Sequence, residues 1–246
     1  MKKILKGSEK NMDTSSFSNM YKTYARFYDY FYQSKDYERE CHFLKKLLLE
    51  YSVQTILDVG CGTGTHLSKL EKCGYTCEGI DLNPEMIEIA STKLKGKIFH
   101  GDMRHCNLNK KYGAITSLFA VFNHNLNLSD AHKTLAQLKS HLEPNGILIL
   151  DLYNPQSSGE KADSHDGITK KMKWNFNPEN PICESIVTFV DKNKKLCEEQ
   201  FPLRIYSIPD MRKLLEEAGF VKIQAYDNYT FEEATQRSKN LVFVAQ

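Results

Sequence analysis

Three glycines in five residues, Gly60, Gly62 and Gly64, follow the strand-forming run Thr55 to Val59. Without a Cβ the backbone can turn sharply there, and a ligand can approach it closely. The spacing is G-x-G-x-G, whereas a dinucleotide site carries G-x-G-x-x-G, so it points to a nucleoside with no pyrophosphate. Asp81 ends the next strand-forming run, Cys77 to Ile80, 21 positions after Gly60. A carboxylate there can accept from both hydroxyls of a ribose. Gly101, Asp102 and Met103 follow a third such run. The Asp102 carboxylate is placed to accept from an adenine amino group, and the Met103 backbone to donate to the ring. Asp58 lies inside the first run, where a charge needs donors, and the glycine-loop amides are near.

A second group of residues suits a reacting partner. His124, in Phe122-Asn123-His124-Asn125, lies just past a fourth run, Ala114 to Phe119. It is read either as a base taking a proton from an amine or hydroxyl nucleophile, or as a surface-loop histidine. Asp151 ends a fifth run, Ile147 to Leu150. It either orients a cationic or hydroxylated substrate or caps its loop. Tyr21 and Tyr153 are placed with Asp151 on the substrate side. Residues 21–32 are dense in Tyr and Phe, and Tyr21, Tyr24 and Tyr28 fall on one helical stripe. Core packing and a lid over a pocket both fit that stripe. His100, His105 and Cys106 cluster loosely at a spacing that matches no zinc pattern, so no metal is expected.

These residues need a scaffold that brings five strand ends to one edge. Helical periodicity recurs at about 36–51, 65–73, 84–94 and 129–142, between the strand-forming runs. The alternation predicts an α/β chain: a doubly wound, mostly parallel sheet covered on both faces. After Asp151 the composition shifts. Residues 154–181 are rich in Asn, Pro, Ser and charge, and two strands over 185–190 and 197–206 are joined by a hairpin at 191–195. A helix at 209–218 and strands at 221–226 and 241–244 complete the pattern. The expected organisation is an aromatic, helical lid segment at 1–50 and a ligand-binding α/β core at 51–153. A β-rich insertion follows at 154–207, and a closing helix and strands at 208–246.

Bulk composition narrows the partners. The 246 residues hold 33 Lys plus Arg against 31 Asp plus Glu, a net charge of +2. That leaves no strong field toward nucleic acid or a membrane. No apolar run is long enough to span a bilayer, and the seven cysteines form no CxxC pair. A cytoplasmic protein with reduced thiols is expected, with a homodimer left open.

Taken as a set, Ile56-Leu57-Asp58-Val59-Gly60-Cys61-Gly62-Thr63-Gly64, then Asp81, then Gly101-Asp102-Met103, resembles the class I S-adenosylmethionine-dependent methyltransferases. The resemblance covers residues 55–151. It implies a Rossmann-like fold, S-adenosylmethionine as cofactor and a small-molecule methyl acceptor. Gly60, Gly62 and Gly64 would contact the methionyl part, Asp81 the ribose, Asp102 and Met103 the adenine, and Leu118 would lie against the cofactor. The run Tyr28 to Tyr37 with Cys61 to His66 and Gly101 to Arg104 further resembles bacterial enzymes that N-methylate nucleotide-linked deoxyamino sugars. That likeness gives Tyr28 a cofactor contact and an amine nitrogen as methyl acceptor. Small-molecule O-methylation is the alternative. A nucleic-acid or protein methyltransferase loses ground because no Asn-Pro-Pro-Tyr-like tetrad follows the fourth run, and a non-catalytic cofactor-binding protein is the third possibility.

Overall fold

The computed structural model describes residues 25–192 and 194–246. The run Thr55–Val59 becomes β1, buried along all but its first residue. It pairs in parallel with β2 (Thr76–Asp81) on one side and β4 (Tyr112–Ser117) on the other. A parallel strand covered on both faces has little room for polar side chains, and Asp58 is the one charge in β1. With β3 (Ile98–His100), β5 (Leu142–Tyr153), β10 (Ile223–Asp227) and β11 (Asn240–Ala245), the sheet runs β10-β11-β5-β4-β1-β2-β3. Only β11 is antiparallel to its neighbours. The chain winds outward from β1 to β3 and then returns to β4, so a crevice opens at the carboxyl ends of β1 and β4.

Helices cover both faces. On one, α2 (Tyr37–Glu50) and α3 (Thr65–Lys72) pack Phe43, Leu44, Leu47, Leu67 and Leu70 against Ile56, Ile147 and Val242. On the other, α5 (Leu128–Ser140) and α6 (Ile208–Glu217) pack Leu135, Leu138, Met211 and Leu215 against Leu57, Ile115 and Leu148. Helix starts follow capping chemistry. Asn83 accepts from Met86 N at 2.9 Å with Pro84 opening α4 (Pro84–Lys93), and Asn127 accepts from Asp130 N at 2.8 Å at the start of α5. α3 differs: Gly64 occupies its cap position at φ +73° with no side-chain cap.

A separate antiparallel sheet runs in chain order through β6 (Gly159–His165), β7 (Ile168–Asn177), β8 (Asn180–Asp191) and β9 (Lys194–Arg204). The β8–β9 pair is the expected hairpin, whereas β6 and β7 occupy the stretch rich in Asn, Pro, Ser and charge, where no individual strand is predicted. In β7 the exposed positions are Lys171, Lys173, Asn175 and Asn177, while Lys170, Met172 and Trp174 turn inward. The alternation is real, but charge on the outer face hides it from a composition count. The expected turn at Pro144-Asn145-Gly146 lies inside β5, as an irregularity between the pairs Tyr112↔Leu142 and Ala114↔Ile147. A Cβ on Gly146 would lie 3.0 Å from two carbonyl oxygens of β4, those of Tyr112 and Gly113.

Candidate active site

The glycine loop lies at the carboxyl end of β1, and its three glycines are left-handed for different reasons. Their φ values are +75°, +53° and +73° for Gly60, Gly62 and Gly64. A Cβ at Gly60 would lie 2.4 Å from Val121 Cγ1, and one at Gly64 would lie 2.7 Å from Leu94 Cδ1. At Gly62 a Cβ would meet nothing within 4 Å, although the residue lines a cavity. Gly62 is therefore bare backbone facing open space, the form a close-lying ligand requires.

Asp81 is fixed by that loop. Its Oδ2 accepts from Gly62 N and its Oδ1 from Asn83 N, both at 2.8 Å. Each oxygen keeps acceptor capacity for a further donor from the cavity. Burial raises its pKa, and the amide donors offset only part of that rise. Asp58 lies deeper, and its Oδ1 accepts from Thr116 Oγ1 at 2.6 Å. Burial pushes this carboxyl up to about 7. The loop amides expected to serve Asp58 go elsewhere: Gly60 N and Cys61 N donate to Ile80 O, and Gly62 N donates to Asp81.

Asp102 is held differently from what its position alone suggests. Arg104 grips both its oxygens, with Nη2 to Oδ2 at 2.6 Å and Nε to Oδ1 at 2.9 Å, and Arg104 N also donates to Oδ1. Arg104 reaches on to Asp130 at 3.2 Å. Burial would raise the Asp102 pKa, but the guanidinium outweighs it and holds the carboxyl below its usual range. An adenine amino group here would share an acceptor that Arg104 already uses. Met103 and Leu118 line the same cavity.

Past β4, Phe119 and Ala120 both adopt left-handed backbone, at φ +61° and +62°. Each such non-glycine residue costs roughly 1–2 kcal/mol. The bend is braced by Asp151, which accepts from Phe119 N at 3.1 Å and from Tyr229 Oη at 2.7 Å. Asp151 thus links this bend to Tyr229, and it also lines the cavity. A short 3-10 turn, Phe122–His124, follows. Asn123, fully buried, ties it down: Nδ2 donates to Arg204 O at 2.7 Å and Oδ1 accepts from Tyr153 N at 3.0 Å. His124 lines the cavity, and burial pushes its imidazole down to about 4, so it is uncharged at neutral pH.

The cavity is about 420 Å³. Its floor is the edge formed by β1, β2, β4 and β5, and its far wall is the second sheet, through Met172, Trp174, Val187 and Phe201. A short helix, α1 (Ala25–Phe31), brings Tyr28 to it, with the Tyr28 ring 4.7 Å from Tyr32 and 6.3 Å from Phe119. Tyr153 also lines it, its phenol pushed up to about 12 by burial. The cavity thus gathers Tyr28, Asp58, Gly60, Gly62, Asp81, Asp102, Met103, Leu118, His124, Asp151 and Tyr153. Gly64 lies just outside its lining, and Tyr21 lies outside the described residues. Residue types and spacing assigned no role to Lys35, Glu40 and His66, which also line it, nor to Asn123, whose partners stand 30 and 81 positions away. Among the described residues, no cluster of three or more His, Cys, Asp or Glu side chains could hold a metal ion, and no helix is long and apolar enough to cross a membrane.

Residues 28–225 match the family described as a methyltransferase domain. The chain belongs to this methyltransferase family. Family membership, with the bare backbone at Gly62 and the adjacent carboxylate of Asp81, makes S-adenosylmethionine its cofactor. The chain is 33% identical over 132 residues to the dTDP-3-amino-3,6-dideoxy-alpha-D-glucopyranose N,N-dimethyltransferase of Streptomyces fradiae, covering 52% of each chain. It is 32% identical over 133 residues to the dTDP-3-amino-3,4,6-trideoxy-alpha-D-glucopyranose N,N-dimethyltransferase of Streptomyces venezuelae, covering 52% of this chain and 56% of that one. The matches therefore span about half the length of these two relatives. Among solved structures, an S-adenosylmethionine-dependent methyltransferase from Clostridium acetobutylicum shares the fold, with a TM-score of 0.78 at 21% identity. That match covers 93% of this chain and 99% of the other. The expected Rossmann-like methyltransferase fold is thereby confirmed.

Proposed function

We propose that this methyltransferase acts on an amine nitrogen of a small molecule, an amino sugar or a similar amine, by direct in-line transfer. S-adenosylmethionine, when bound, supplies a methyl group already activated on a sulfonium. The task left to the protein is to hold, orient and desolvate the partners. Asp81 accepts from the ribose hydroxyls with its remaining lone pairs, beside the bare backbone of Gly62. Gly60 and Gly64 set the bend that presents it. Met103, Leu118 and the Asp102–Arg104 pair enclose the adenine end, and Tyr28 closes over the cofactor. Asp58 lies beneath. Asp151 and Tyr153 wall the acceptor side, where Tyr21 is also assigned.

What favours nitrogen over oxygen is the placement of His124, buried in the cavity wall, where burial depresses the basicity of its imidazole. A hydroxyl must lose its proton as it attacks, and an imidazole with a pKa of about 4 is a poor acceptor for it. A neutral amine attacks with a lone pair it already has. His124 then accepts a hydrogen bond from the amine N–H and aims that lone pair, and the proton is lost to water after transfer. The two sugar N,N-dimethyltransferases among the relatives support the same reading.

The test is a screen for S-adenosylhomocysteine release over amino sugars, other amines, phenols and carboxylates, with product masses. Amines should be turned over, and a substrate set restricted to hydroxyl compounds would overturn the proposal. With the best amine, His124→Ala should lower kcat about 10- to 100-fold, while His124→Asn, which keeps an acceptor, should recover part of the loss. The wild-type rate should rise with pH through the pKa of the acceptor amine, with no inflection near 6.5, the ordinary histidine value.

A further inference from the structure

One ionic cluster on the cavity wall has no part in the roles assigned so far. Lys35 lies in the turn between α1 and α2, Glu40 in the first turn of α2, and His66 two residues past Gly64. All three line the cavity beside Gly62 and Thr63. Glu40 Oε2 receives the Lys35 ammonium and His66 Nε2, the latter at 2.7 Å. Among the described residues no donor is recorded at Oε1, although the side chain is only 8% exposed. The side chain lines the cavity, so this oxygen keeps acceptor capacity for a donor on a ligand lying there.

The cluster has a definite charge pattern. Burial opposes the charge on Glu40, but His66 and Lys35 outweigh it and hold the carboxyl below its usual range. Burial likewise lowers the His66 pKa, so the imidazole is neutral and the wall presents one anion beside one cation. The Lys35 ammonium lies 4.5 Å from the Tyr37 ring centroid and 4.9 Å from that of Phe119. Its three donors are not exhausted by one carboxylate oxygen. Asp151, braced by Phe119 N and Tyr229, is the further acid whose charge reaches His66. The cluster flanks the glycine loop beside Phe119, and Asp81 grips the same loop through Gly62 N.

We propose that Glu40 and Lys35 together bind the α-amino acid group of the cofactor. Glu40 Oε1 accepts from its ammonium, Lys35 Nζ donates to its carboxylate, and His66 holds Glu40 in place. A zwitterion set head-to-tail against an ion pair cancels charge on both sides, which suits a wall that has little water. The inference rests on S-adenosylmethionine being the cofactor, and it goes beyond the acceptor chemistry proposed above.

Three ligands separate the contributions in calorimetry: S-adenosylhomocysteine, its decarboxylated analogue (which keeps the ammonium) and 5′-methylthioadenosine (which has neither charged group). The wild type should bind S-adenosylhomocysteine at least about 10-fold more tightly than 5′-methylthioadenosine, with the decarboxylated analogue between them. Glu40→Gln should weaken S-adenosylhomocysteine and the decarboxylated analogue about 10-fold or more, and leave 5′-methylthioadenosine within about 3-fold. Lys35→Met should weaken S-adenosylhomocysteine alone. A role in folding only would weaken all three ligands alike, and that result overturns the proposal. So does a Glu40→Gln variant that raises only the acceptor KM. If Glu40→Gln does not fold, Lys35→Met and the wild-type series decide the matter, because equal wild-type affinities also overturn it. Absence of binding by any of the three to folded wild type would instead remove the cofactor assignment.

Discussion

Two titratable groups at the cavity shift in opposite senses, and pH should expose both. His124 is pushed down to about 4 from an ordinary value of 6.5. Between those values the unfolded chain binds a proton that the folded chain refuses, so its contribution to stability is lost as pH falls from 6.5 toward 4. Asp58 is pushed up to about 7 from 3.8, so the folded chain binds the extra proton, and stability from this group is lost as pH rises from 3.8 toward 7. Between pH 7 and pH 5 each amounts to about 2 kcal/mol, with opposite signs. Wild-type stability in urea should therefore change little over this window on account of the pair. Asp58→Asn, whose amide oxygen still accepts from Thr116, should lose about 2 kcal/mol on going from pH 7 to pH 5, and His124→Gln should gain about as much. Parallel slopes for all three proteins would contradict these shifts. At this scale the sequence revealed residue types at spacings, which sufficed to mark Gly60, Asp81 and His124. Their partners were hidden. Thr116 meets Asp58 across 58 positions through the pairing of β1 with β4, and Glu40 meets His66 across 26 between α2 and α3, with no local signal in either case.

The glycine loop is where an element and its chemistry separate cleanly. A methyl group at Gly60 meets Val121 at 2.4 Å, while at Gly62 it meets open space. Gly60→Ala should therefore combine left-handed strain with overpacking and destabilise the fold by about 2–4 kcal/mol. Gly62→Ala should cost only the strain, about 1 kcal/mol, yet place its methyl where the cofactor is proposed to lie and weaken S-adenosylhomocysteine more than about 10-fold. Thermal unfolding and calorimetry on both variants check the contrast, and equal effects on binding and folding would contradict it. Element legibility divides along the same physics. The units from β1 to β5 announce themselves through apolar runs, all but that of β4 ended by Gly or Asp, because a doubly covered parallel sheet demands such runs. β6 and β7 do not, because Lys171 and Lys173 on one face mask Met172 and Trp174 on the other. Pro144-Asn145-Gly146 misleads for another reason: a bulge accommodates residues that ordinarily mark a turn.

At the scale of the molecule, three apolar clusters among the described residues divide the work. Two lie on the faces of the main sheet, and the third joins α1, α4 and the second sheet through Ala25, Phe31, Met86, Val187, Phe189 and Phe201. The roof over the cavity can therefore open by disrupting the third cluster alone, leaving the sheet cores packed. Polar ties add to it. Asp29 accepts from Thr63 Oγ1 at 2.6 Å and from Lys93, and on the other side of α1 Tyr30 donates to Asp166. Asp29 thus ties the roof helix to the glycine loop. A ligand touched by both floor and roof must leave, or lose half its contacts, when the roof opens. Saturating S-adenosylhomocysteine at 100 times its Kd should raise the opening free energy of α1 and β7 by about 2.7 kcal/mol, a roughly 100-fold slowing of amide exchange. Local fraying at the ends of α5 and α6, which releases no ligand, should not slow. Asp29→Asn should speed exchange in α1 of the free protein while the amides of β1 and β4 keep their rates. Uniform slowing in roof and frayed ends alike would mean that the ligand stabilises the chain only as a whole. The selective pattern would instead show that the roof is the unit whose movement admits it.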